Sequence, residues 1–87
     1  MADPLPVLTL LSRGYCRLCQ DMLDAVDALR AEFGFVLDVV DVDAAPELEA
    51  RYGEDVPVLL HRDRELARHR LEPERLRRYL AHGLPEI

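Results

Sequence analysis

The stretch LPVLTLLSRGYCRLCQDMLDAVDALRAEFG, residues 5–34, changes its hydrophobic period near the middle. Residues 5–12 form a short apolar run that includes Val7 and Thr9, the pattern of a buried strand. Gly14 breaks the run. From Arg17 to Phe33 the apolar residues are Leu18, Cys19, Met22, Leu23, Val26, Leu29 and Phe33. These intervals belong to one face of a helix, with Asp21, Asp24, Asp27 and Arg30 on the wet side. Gly34 is placed to cap that helix. Both cysteines of the chain, Cys16 and Cys19, lie at the junction between the two periods.

Working outward, FVLDVVDVD (35–43) is rich in branched residues and predicts a second strand mostly covered on both faces. Asp43 is expected to cap a short helix over AAPELEARY, with Pro46 in its first turn and Gly53 ending it. VPVLLH (56–61) predicts a third strand opening on a proline, and RDR a tight polar turn. ELARH (65–69) predicts a half-polar edge strand. The last helix is expected from about Pro73 to His82, stapled by Leu71 against Leu76 and capped by Gly83. Leu76, Tyr79 and Leu80 form its inner stripe. The order β-α-β-α-β-β-α calls for an α/β domain in which a mixed four-stranded sheet carries helices on both faces. No linker or repeat interrupts it, so residues 1–87 are expected to fold as a single domain.

The composition narrows the function. A net charge of −6 leaves no basic face of the kind that displaces counterions from nucleic acid. Residues 1–60 carry 4 Arg against 12 acids, and residues 61–87 carry 7 Arg against 5 acids. The basic tail alternates its signs in a helical pattern and predicts a solvated helix face rather than a phosphate site. The absence of lysine excludes Schiff-base and Walker-type chemistry. The N-terminus has no basic leader, and its apolar run is too short to cross a membrane. The expectation is a cytoplasmic, monomeric protein without nucleic-acid or membrane partners. In a reducing compartment, C-x-x-C is more often catalytic or metal-binding than a permanent crosslink.

Cys16 sits where the loop enters the first helix, beside unpaired backbone N–H groups and the positive end of the helix dipole. Arg13 and Arg17 add positive charge nearby. Thiols so placed have pKa values lowered from about 8.5 into the range of roughly 3.5–7.5. Cys19 lies one turn further in, on the side of Met22 and Val26, and is expected to be partly buried. The arrangement divides labour: Cys16 attacks a disulfide, and Cys19 resolves the mixed disulfide that forms. Other readings of the pair stand beside this one. Two cysteines supply half of a structural zinc site, and His61, His69 and His82 fall on separate element ends. A dimer could share an iron–sulfur cluster through four cysteines, or the fold could be a binding module with idle thiols. The three histidines read individually as surface or turn residues. Tyr52 and Tyr79 read as packing residues with wet hydroxyls. The acids of DVVDVD lack the glycine and terminal glutamate of an EF-hand loop and read as strand-end and cap acids.

SRGYCRLC resembles the S-K-x-Y-C-P-x-C stretch of glutaredoxins, with Ser12, Tyr15, Cys16 and Cys19 matching and Arg13 at the basic position. VVDVDAAPELEARYGEDVPVLL resembles that family's second strand, second helix and the Val-Pro opening its third strand. The resemblance spans nearly the whole chain. It is strongest to small bacterial glutaredoxin-like proteins with C-x-L-C in the thioredoxin-like superfamily. It implies a thioredoxin-like fold and a redox-active, electron-transporting thiol–disulfide oxidoreductase with Cys16 as nucleophile and Cys19 as resolving thiol. It further implies that Val56-Pro57 is a cis peptide beside the cysteines; the plain alternative is a trans proline starting a strand. With the Val56 backbone, Pro57 would form a platform for an extended thiol substrate. Arg13, Tyr15 and Arg17 would complete the substrate-binding set, with no metal: Arg13 would hold a carboxylate or steady the thiolate, or stand as an ordinary solvated arginine, and Tyr15 would hydrogen-bond near the sulfur or shield it from water. Arg17 stands where glutaredoxins carry proline, which adds an N–H and a cation near the sulfur. The Gly-Gly of the glutathione-binding stretch is replaced by His69 and Arg70. No cofactor is expected to be bound, and glutathione, as reductant, would meet a degraded binding motif. The partners implied are a disulfide-containing protein or small thiol, and electrons from glutathione or a thioredoxin-reductase type system.

Overall fold

The computed structural model describes residues 5–14 and 16–82. Tyr15 and Gly83, the proposed substrate contact and last helix cap, lie outside the described residues. The elements are β1 (Val7–Ser12), α1 (Arg17–Phe33), β2 (Val36–Asp41), a single 3-10 turn (Val42–Ala44), α2 (Pro46–Tyr52), β3 (Val58–His61), β4 (Arg64–Arg68) and α3 (Pro73–Ala81). They form one mixed sheet in the order β2-β1-β3-β4. β1 pairs parallel with β2, Val7 opposite Val36 through Ser12 opposite Asp41. β1 pairs antiparallel with β3, and β3 antiparallel with β4.

The period change in the opening stretch sets the first strand–helix unit. α1 runs for 17 residues and buries Cys19, Met22, Val26 and Leu29. Gly34 ends it in the left-handed region at φ 73°, its N–H donating to the Arg30 carbonyl oxygen. A side chain there would crowd the backbone, which is the reason for glycine. The alternation of β1 then divides the core. Leu8 and Leu10 pack with Leu59, Met22, Val26, Leu29, Phe35 and Leu76 under α1 and α3. Leu11 points to the other face and packs with Val42 and Val58, alongside Leu48 and Tyr52 of α2. Helices therefore cover both faces. Each fully buried leucine contributes about 1.5–3 kcal/mol by leaving water, so the two layers account for most of what holds the sheet. Leu71 joins the cluster that holds Leu76, where the stapling contact was expected.

Three local expectations are corrected. β2 is not covered on both faces: it takes a sheet edge, and Val36 and Val39 are 45% and 48% exposed. The seven-residue α2 is about 10 Å long, too short to cover the whole second face, so Val7 is exposed there as well. Asp43 does not cap α2, whose N-cap is Ala45 without a side-chain hydrogen bond. Instead Asp41 caps the intervening 3-10 turn by accepting the Asp43 N–H at 2.9 Å. Gly53 does close α2, as expected.

His61 is the third correction. It is a buried side chain, 5% exposed, and its Nδ1 lies 2.8 Å from the Tyr79 hydroxyl. That hydroxyl is therefore engaged inside the fold rather than only wet. Burial lowers the His61 pKa from 6.5, helped by Arg62 and Arg64. The unfolded chain then takes up the proton first on acidification, so this contribution to stability is complete above about pH 6.5 and declines as the pH falls toward the folded value. Urea midpoints are expected to drop between about pH 7.5 and about pH 5.5, with a shallower drop in His61→Phe. An unchanged slope in that variant would place the titration elsewhere.

Candidate functional site

The carboxyl ends of β1 and β2 and the start of α1 meet at one end of the sheet. Cys16 is the N-cap of α1, and its Sγ accepts the Cys19 backbone N–H at 3.2 Å. A sulfur here takes the place usually filled by a serine or aspartate oxygen. The helix entry thus supplies a hydrogen bond and the positive end of its dipole to that atom. Cys16 and Cys19 are joined as a disulfide, with Cα atoms 5.2 Å apart, inside the span that such bonds require. Cys16 is half-buried and Cys19 is 2% exposed, more deeply covered than the sequence suggested. An outer sulfur and a shielded inner one follow from the helix itself: three residues rotate the chain by most of a turn, into the core stripe of Met22 and Val26.

Ser12, Arg13, Gly14, Gln20, Val39 and Asp41 help to line a groove of about 320 Å³ beside both cysteines. Arg13 donates from Nε to Asp43 Oδ1 at 3.1 Å, and its Nη2 lies 3.6 Å from Glu49 Oε1. Arg17 is exposed on the first turn of α1, and no ion pair of it occurs among the described residues. On the other side of β1, the Val56–Pro57 peptide is cis, with Pro57 buried. Val58 faces Leu11 across the antiparallel ladder, so Pro57 and Val56 continue toward Ser12 and Arg13. The Pro57 carbonyl oxygen accepts the His69 N–H at 2.8 Å, which ties the end of β4 to this bend. His69 has φ 64°, a left-handed conformation that glycine adopts without strain. Arg13, Cys16 and Cys19 thus share one groove, whereas Arg17, Val56 and Pro57 are not among its lining residues. His61 lies at the opposite end of β3, opposite Leu8. Among the described residues, no helix is long and apolar enough to cross a membrane.

Residues 7–81 match the model of the glutaredoxin-like domain (DUF836). The chain belongs to that glutaredoxin-like family. It is 33% identical over 83 residues to an uncharacterized protein of Mycobacterium tuberculosis, covering 90% of this chain and 86% of that one. Its fold superimposes on the solution structure of protein Ne2328 from Nitrosomonas europaea with a TM-score of 0.75 and 27% identity, over 91% and 95% of the two chains. It matches protein XcR50 from X. campestris with a TM-score of 0.70 and 32% identity, over 87% and 97%. Thioredoxin 1 of Thermosipho africanus, with a TM-score of 0.61 and 21% identity over 88% and 97%, shares the thioredoxin-like fold.

Within this glutaredoxin-like domain, sequence reading found the cysteine pair but missed the groove's other wall. Val39 and Asp41 line that wall, and Asp43 and Glu49, outside the lining, hold Arg13; the sequence presents the four only as strand, strand-end, cap and helix residues. The usable signal was the parallel register: a strand that sets Ser12 level with Asp41 places the next turn, including Asp43, at the height of Arg13. That register becomes available only once the two strands are known to be neighbours.

Proposed function

We propose that this glutaredoxin-like protein is a thiol–disulfide oxidoreductase. The observation that carries the reading is the half-buried Cys16 sulfur at the mouth of α1, hydrogen-bonded by the Cys19 N–H and within bonding reach of Cys19. In the reduced protein the Cys16 thiolate attacks one sulfur of a substrate disulfide. The substrate S–S bond breaks, a mixed disulfide forms and the first thiolate leaves. Cys19, as thiolate, then attacks the Cys16 sulfur, the second thiolate leaves, and two electrons have passed from protein to substrate. Both leaving thiolates are protonated by solvent according to their own basicity. A thiol reductant, glutathione or a thioredoxin-reductase type system, restores the dithiol by the reverse exchange.

The helix N-terminus and the exposed Arg17 cation favour the attacking thiolate. The Val56 backbone beside the cis-Pro57 bend offers hydrogen-bonding groups to an extended substrate backbone, in the manner of strand addition. Substrates of this reading are protein disulfides or small disulfides in a reducing, cytoplasmic setting. Glutathione is a poor fit, because His69 and Arg70 set bulky side chains where a tripeptide backbone would have to approach.

The test is stoichiometric. Pre-reduced protein is mixed with a small disulfide, and intact mass and thiol release are followed. Loss of both protein thiols with release of the substrate thiol is expected, together with weak turnover in a glutathione-coupled assay. A protein that leaves the disulfide untouched, or that purifies with metal lost on Cys16→Ser, would move the reading to a binding module or metal carrier.

A further inference from the structure

We propose that Asp43 and Glu49 are specificity-determining residues: by holding the Arg13 guanidinium they cancel the cation on the groove wall and turn the site away from anionic reactants. The inference deepens the thiol–disulfide reading and rests on Cys16 being the reacting atom.

Arg13 follows β1 directly and shares the groove lining with Cys16, Cys19 and Asp41. A lone guanidinium there would draw carboxylate-bearing thiols and disulfides toward the sulfur, since it binds carboxylates by charge and geometry together. Its charge is already paired within its own chain, Nε donating to Asp43 Oδ1 at 3.1 Å and Nη2 lying 3.6 Å from Glu49 Oε1 as an ion pair. The two acids are held in place. The Asp43 backbone N–H is fixed on Asp41 Oδ1, and Glu49 rides on α2 next to Leu48, which packs against the Leu11 cluster. One cation thus faces two carboxylates, with Asp41 as a third acid on the groove lining. Acids outnumber the one arginine at this wall. Neutral or cationic partners are accepted, and anionic ones lose the contact that the arginine would otherwise give.

These ion pairs are half exposed, with side-chain exposures of 34% for Arg13, 52% for Asp43 and 48% for Glu49. Pairs so wet contribute little to stability, so their removal leaves the fold intact. The probes are iodoacetate and iodoacetamide, matched alkylating agents that differ by one negative charge. Each is attacked by the Cys16 thiolate, which forms a C–S bond and expels iodide. Rates are measured on the reduced full-length protein, with modification mapped to Cys16 by peptide mass.

In Asp43→Asn with Glu49→Gln, the ratio of iodoacetate to iodoacetamide rates is expected to rise about fivefold to tenfold, in the range of local electrostatic steering. Adding Arg13→Gln to that variant is expected to return the ratio toward the wild-type value. An unchanged ratio overturns the proposal. So does a gain that persists without Arg13, because it would report only the general loss of negative charge. Asp43→Asn alone, which removes the shorter contact, gives the same test in a less altered protein. Alkylation needs no resolving thiol or substrate disulfide, so failure here is distinct from failure of the exchange chemistry.

Discussion

Cys16→Ser is expected to reduce disulfide exchange to background, a loss of at least roughly a thousandfold of the kind that follows removal of a covalent nucleophile. A serine hydroxyl at the same position would still accept the N–H at the helix entry. It would not ionise near neutral pH, so it cannot open a disulfide. Cys19→Ser has a different signature. The outer sulfur still attacks, but no inner thiolate follows, and the mixed disulfide between Cys16 and the substrate thiol accumulates. Intact-mass measurement distinguishes the two: no adduct in the first variant, and a trapped adduct carrying one half of the disulfide in the second. Exchange that survives Cys16→Ser, or an adduct mapped to Cys19 in the wild type, would reverse the assigned roles. The basis is the difference in cover, since Cys19 is 2% exposed and Cys16 is half-buried.

The second large effect is on stability. Leu59→Ala is expected to cost about 2–5 kcal/mol, the usual range for truncating a buried leucine. Leu59 is fully buried on β3, within the cluster that contains Leu8, Leu10, Val26 and Leu76. Elements from three sides of the sheet and helix layer converge on it, so the cavity left by truncation has little freedom to collapse. A domain of this size has a total stability of roughly 5–15 kcal/mol, and each kcal/mol shifts the thermal midpoint by about 4–8 °C. A fall in midpoint of more than about 10 °C is therefore expected in a thermal melt. A shift of only a degree or two would mean that the α1 layer does not rely on this contact. Truncating the edge residue Val36, 45% exposed, serves as the control and is expected to change the midpoint little.

Legibility varied along the chain for definable reasons. The helix bounds at Arg17 and Phe33 were readable because an amphipathic stripe, a cysteine at the loop–helix junction and a following glycine all agree. The character of β2 was not readable. Its branched residues are those of a doubly covered strand, yet coverage depends on which strand lies beside it and how far α2 reaches. His61 was misjudged for a related reason: a histidine ending a strand before a polar turn looks exposed until α3 folds back and sets Tyr79 over it. Arg13 was placed correctly near the cysteines, but its engagement with Asp43 spans 30 residues of sequence and has no local trace.

The chain's own order of residues determined the element succession, the placement of Cys16 and Cys19 at a helix mouth and the glycine stop after α1, because periodicity and capping act within a few residues. Tertiary structure alone decided that β2 is an edge, that His61 is buried and that Arg13 is ion-paired with Asp43 just beyond the end of the neighbouring strand. Those outcomes depend on contacts between segments distant in sequence, and burial and charge pairing are properties of the assembled neighbourhood rather than of any local pattern.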